Sequence, residues 1–92
     1  MERQVLIDQF TEQLRADGYA DPVLVEREPN GRLDDHSHPF EARAVVLQGE
    51  IRIHAGGEIK IYRPGDVFHL RRDEPHRETY GPDGVQYLSG RR

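Results

Sequence analysis

Two of the chain's five histidines, His36 and His38, stand two positions apart in the stretch Asp34-Asp35-His36-Ser37-His38-Pro39-Phe40-Glu41. Divalent metals sit about 2.0–2.1 Å from imidazole nitrogen, so ligands must converge tightly, and a His-x-His pair on an extended segment does so from one rigid element. His76 is available as a third imidazole from later in the chain. Asp34 and Asp35 are carboxylates suited to orienting an imidazole through its other nitrogen. The chain has no cysteine, which leaves imidazole, carboxylate and water as the only ligands on offer. No Ser-His-Asp order, phosphate loop or nucleophile elbow competes with this reading.

The elements that must position these residues are short. Leu6, Phe10 and Leu14 recur at helical spacing, with Val5 and Ile7 widening the stripe, and Gly18 stands where a C-terminal cap belongs, so residues 2 to about 17 are expected to be helical. From Pro22 the period changes to two. Strands are expected over 23–28, around the histidine pair, and over 41–48, 51–54, 58–62, 67–70, 75–80 and 85–89. The turns between them are Pro29-Asn30-Gly31, Gly49-Glu50, Gly56-Gly57, Arg63-Pro64-Gly65-Asp66 and Gly81-Pro82-Asp83-Gly84. In the fifth of these strands Ile59 and Ile61 are expected inward and Lys60 outward. About eight short strands at this spacing point to an all-β fold, a small antiparallel β-barrel or jelly roll, with the one N-terminal α-helix covering a side or an end.

Ninety-two residues fit a single domain, with the helix in 2–18 and the barrel in 22–90. A chain of this size buries only about 60–65% of its unfolded surface, a thin core that gains from dimerisation. Thirteen Lys and Arg against 17 Asp and Glu give a formal charge of -4. The basic residues form only pairs, Arg71-Arg72 and Arg91-Arg92, which argues against a nucleic-acid surface. No apolar run reaches signal-peptide or membrane-spanning length, so a cytoplasmic location is the default expectation.

The order His-x-His, a Gly closing the next strand, Pro-Gly-Asp, and then a His preceded by Pro resembles the cupin superfamily of small β-barrels. Its two motifs are G-x5-H-x-H-x3or4-E-x6-G and G-x5-P-x-G-x2-H-x3-N. His36, His38 and Gly49 fit the first, and Gly65 and His76 fit the second. The stretch Val46-Leu47-Gln48-Gly49-Glu50 is similar to the end of the first motif, and Tyr62 to Leu70 is similar to the second. Four departures stand beside the matches. Ala42 occupies the place of the family's metal-binding Glu, and Glu41, one residue early, belongs by strand parity to the opposite face. Gly31 is one residue late, Arg71 and Asp73 replace the second motif's Pro and Gly, and Tyr80 stands for its Asn.

The resemblance implies a divalent metal ion, Fe, Ni, Zn or Mn, held by His36, His38 and His76. Three neutral imidazoles leave the metal's +2 charge uncompensated, which favours a small anionic ligand or substrate. One expectation is an enzyme whose metal activates oxygen, as the resemblance implies for an oxygenase, or water for other small-molecule chemistry, with Glu41 or His69 as acid or base. A non-enzymatic ligand-binding or sensing barrel is a second expectation, and a degenerate, metal-free cupin a third. A homodimer binding a small molecule, without nucleic-acid or membrane partners, completes the expected profile.

Overall fold

The computed structural model describes residues 2–92. Helix α1 (Arg3–Ala16) starts at Glu2, whose carboxylate accepts from the backbone N–H groups of Gln4 and Val5, satisfying two free donors of the first turn. It stops at Asp17 and Gly18, where φ reaches +83°. Six strands follow: β1 (Val23–Arg27), β2 (Arg32–His36), β3 (Ala42–Ala55), β4 (Glu58–Tyr62), β5 (Val67–Leu70) and β6 (His76–Arg91).

There are fewer strands than the turn signals suggest because two of them are long and bent. β3 runs through the expected turn at Gly49-Glu50, and β6 runs through 81–84. The bends meet: a Cβ on Gly49 would lie 2.1 Å from the Gly84 carbonyl oxygen, and both glycines have positive φ, +78° and +71°. Glycine therefore lets the two backbones cross at this point, bending the strands where other residues would end them.

The bends divide each long strand between two antiparallel sheets. The first half of β3 pairs with β5 and with the second half of β6, which also carries β1. The second half of β3 pairs with β4 and with the first half of β6, which carries β2. This is a jelly-roll arrangement of two four-stranded sheets, and its hydrogen-bond ladders do not close into a ring.

Strand parity separates two cores. Ala42, Ala44 and Val46 on β3 and Val85 and Tyr87 on β6 face the inside, where Ile51, Ile53, Phe68, Leu70 and Tyr80 join them. Val45 and Leu88 face the other way and receive Phe10, Leu14 and Tyr19, so α1 covers the outer face of the first sheet. The expectation for β4 is corrected: Ile59 and Ile61 are 61% and 43% exposed. β4 is an edge strand bonded only to β3, and of its residues only Tyr62 packs against the inner core. No helix among the described residues is long and apolar enough to cross a membrane.

Candidate metal centre

His36 faces His76 across the β2–β6 ladder, with ring centroids 4.2 Å apart. A bulge sets this pairing. Leu33 pairs with Glu78, so regular pairing would bring Asp35 opposite His76; the register slips between Leu33 and His36 and brings His36 there instead. His38 follows the end of β2, so its approach does not come from the period-two spacing of a continuing strand. Its ring nevertheless lies 5.0 Å from both His36 and His76. Phe40 stacks on it at 4.9 Å and an interplanar angle of 7°, and the Arg91 guanidinium lies 4.4 Å from the Phe40 ring centre. The three histidines bring one ring nitrogen each to within 4.8 Å of one another.

Two of these rings have a fixed orientation. Nδ1 of His36 contacts the Asp34 carbonyl oxygen at 2.7 Å, and Nδ1 of His76 contacts the Glu74 carbonyl oxygen at 2.9 Å. A carbonyl oxygen only accepts, so Nδ1 carries the proton and Nε2 of the neutral ring is a bare lone pair. Backbone carbonyls thus do the orienting expected of Asp34 and Asp35. The Asp34 carboxylate is turned out to Arg32 at 3.5 Å, and both aspartates are exposed. Both Nε2 atoms are buried without a hydrogen-bond partner.

Glu78 adjoins the cluster on the side of His36 and His76 and is not among the residues that the sequence singles out. It is 4% exposed, and its Oε2 lies 3.3 Å from Nε2 of His76 and 3.5 Å from Nε2 of His36. Its Oε1 accepts from the Tyr80 hydroxyl at 3.1 Å. The signal was present in the sequence: His76-x-Glu78 has the same period-two relation on a strand that directed attention to His36 and His38. The pKa of His38 is lowered, first by burial and then by the neighbouring His76 and His36. Burial, followed by the charge of Glu78, pushes the Tyr87 phenol up to about 12 and raises that of Tyr80 still further.

His36, His38, Ala42 and Glu78 line one cavity of about 80 Å³, together with Arg27, Tyr87, Ser89 and Arg91. Glu41 and His69 do not line it. They pair with each other on the outer face of the first sheet, Glu41 from just before β3 and His69 from β5, where Arg92 also binds Glu41. The Arg92 and His69 side chains hold the Glu41 carboxyl at about 2. This corrects the expectation that either residue acts on a ligand at the histidines, because strand parity turns Glu41 away from the ligand face. Arg43 is likewise on that face and binds Asp17 at 2.5 Å.

Residues 23–80, more than half of the chain, match the Cupin domain family. The chain belongs to the cupin family. Solved structures agree in fold. A protein of unknown function from Rhizobium leguminosarum is 15% identical with a TM-score of 0.73, over 77% of this chain and 67% of that one. An RmlC-like cupin from Shewanella frigidimarina is 20% identical with a TM-score of 0.66, over 77% of this chain and 64% of that one. A chain described under the DMSP lyases RdDddP and RnDddQII is 20% identical with a TM-score of 0.72, over 78% of this chain but 37% of that one. No curated protein matches the chain by sequence. At these identities the likeness is one of fold, and this cupin spans two thirds or less of the length of those neighbours.

Proposed function

We propose that this cupin binds a divalent metal ion through His36, His38 and His76 and acts on, or senses, a small anionic molecule in the adjoining cavity. One observation carries the reading. Two buried Nε2 lone pairs and a buried carboxylate oxygen converge with no donor among them. Lone pairs 3.3 Å apart repel unless a cation lies among them, and their chemistry, imidazole and carboxylate, suits Fe, Ni, Zn or Mn.

When bound, the metal supplies Lewis acidity and open positions for water, oxygen or a ligand oxygen. The chain's own residues do the remainder. Arg27 and Arg91 are the cationic side chains in the cavity wall and offset the carboxylate of Glu78, so the space stays electropositive and favours an anion. Tyr87, held protonated, is available as a hydrogen-bond donor into the same space. Phe40, stacked on His38, fixes a ring that no strand holds. The cavity has room for several waters, which suits a molecule of a few heavy atoms. The cupin is further proposed to work as a homodimer, since edge strands β1 and β4 leave Val23, Leu24, Ile59 and Ile61 exposed beside unpaired backbone groups.

Elemental analysis of protein purified without an affinity tag tests the metal. Near-stoichiometric Fe, Ni, Zn or Mn that disappears in His36→Ala and His76→Ala is the expected result. A metal-free wild type under replete conditions would instead identify a degenerate cupin that lost its metal with the usual Glu. Oxygen uptake by the loaded protein over a panel of small thiols, diketones and catechols then separates an oxygenase from a binding barrel. Light scattering reads the oligomer.

A further inference from the structure

We infer that Glu78 is the fourth protein ligand of the metal, so that the carboxylate missing at Ala42 of β3 enters from β6, the strand that carries His76. The inference rests on the metal-binding reading above.

Four observations lead to it. Ala42 and Glu78 line the same cavity, so a carboxylate on β6 reaches the space that a longer side chain at 42 would have filled. Glu78 is on the same face of β6 as His76, two residues along, and its Oε2 lies 3.3 and 3.5 Å from the Nε2 atoms of His76 and His36. Atoms each about 2.0–2.2 Å from one tetrahedral ion lie about 3.3–3.6 Å apart, so the separations of Glu78 from His76 and His36 match those of ligands on a shared ion, which His38 joins through its own approach to the two histidines.

The third observation is that none of these contacts is a hydrogen bond: both Nε2 atoms are orphaned and both Nδ1 protons are given to backbone carbonyls. A His–Glu pair serving only to hold the fold would place a proton between nitrogen and oxygen. The fourth is the position of Tyr80. Its hydroxyl donates to Oε1, which takes up one carboxylate oxygen and leaves Oε2 turned to the histidines, an arrangement that orients a ligating carboxylate. Tyr80 occupies the place of the second motif's Asn, so two of the four departures from the family pattern, Ala42 and Tyr80, are accounted for by one rearranged site.

Co²⁺ alone is the probe, because its visible spectrum reports the ligand set independently of any activity. Wild type should take up one equivalent. Glu78→Gln should bind more weakly by more than the roughly 10–100-fold lost when a residue that only orients a ligand is removed, and with a shifted visible spectrum. A Glu78→Gln protein with the wild-type affinity and spectrum overturns the inference and leaves the three-histidine reading standing. A wild type that takes up no Co²⁺ overturns both. Should Glu78→Gln lose its β-sheet circular dichroism, the decision moves to a crystal structure of zinc-loaded wild type. A Glu78 oxygen about 2.0–2.2 Å from zinc supports the assignment, and one beyond about 3 Å sinks it.

Discussion

Nε2 of His76 lies 3.3 Å from Oε2 of Glu78, yet the ring has already given its proton to the Glu74 carbonyl, so nitrogen and oxygen face each other as two acceptors. Only a positive charge relieves that contact, and it can be a metal ion or a proton. The two compete, which makes metal affinity a function of pH. Each imidazole must be neutral to ligate, and ordinary imidazoles titrate near about 6.5. His38 is lowered from that value by burial and by its two histidine neighbours, so it keeps its lone pair to lower pH. Metal affinity should hold from pH 8 to about 7 and fall steeply below about 6.5. Isothermal titration at a series of pH values would measure it, and an affinity flat from pH 8 to 5 is incompatible with histidine ligands. The metal-free protein changes in the same direction: a folded-state pKa below the unfolded one means stability is lost as pH falls through the unfolded value.

Glu41 gives a second pH dependence, separate from the histidine cluster. Its carboxyl is held at about 2 by Arg92 and His69. With a folded pKa below the unfolded value, the stabilisation is fully present above about 4.5 and disappears as pH falls from there towards 2. Melting temperatures of wild type and Glu41→Gln should therefore differ by a constant small margin above pH 5 and converge in acid. The residues are solvent-exposed enough that 1 M salt should shrink the margin. A gap that persists at pH 2 would show that the substitution acts through something other than charge.

How much of this was legible beforehand differs between the inner and outer faces of the sheets. The helix stripe of Phe10 and Leu14 was readable because burial on one face imposes a period. Gly49 and Gly84 misled: a glycine with positive φ signals a turn as readily as a bend inside a strand, and only the crossing of β3 over β6 distinguishes the two. The histidines were legible as a set, but the bulge that aligns His36 with His76 depends on pairing across strands, which one sequence does not display. Glu78 stands outside the family's motifs, which place the carboxylate at position 42, and only its period-two relation to His76 marks it in the sequence. Ile59 and Ile61 alternate as a buried strand would, and their exposure follows from β4 lying at an edge.

The Gly49–Gly84 crossing predicts a sharp contrast between two glycine substitutions. A Cβ at Gly57, where φ is +79°, meets nothing within 4 Å, so Gly57→Ala should cost only the left-handed backbone penalty of about 1–2 kcal/mol. At Gly49 the φ is almost the same, +78°, but the Cβ would lie 2.1 Å from a carbonyl oxygen. Gly49→Ala must push β3 off β6 and should cost more than about 4 kcal/mol, in the range reserved for disrupted backbones. Urea unfolding of both variants checks this, and equal losses would mean that the bend yields easily.

Leu14 separates folding from binding. It is fully buried, at 0% exposure, between α1 and the outer face of the first sheet, and a Cβ at Gly90 would come within 2.7 Å of its Cδ1, so helix and strand are in close contact there. Leu14→Ala removes buried methyl groups from a site with little freedom to collapse and should destabilise by about 2–5 kcal/mol. The cavity of the candidate metal centre lies on the opposite face of the same sheet, lined by Ala42 and Tyr87, and shares no residue with the cluster around Leu14. Sites without shared partners are close to additive, so Co²⁺ affinity of folded Leu14→Ala should equal that of wild type while its urea midpoint drops. A parallel loss of affinity would show that α1 helps set the spacing of the histidines through the sheet.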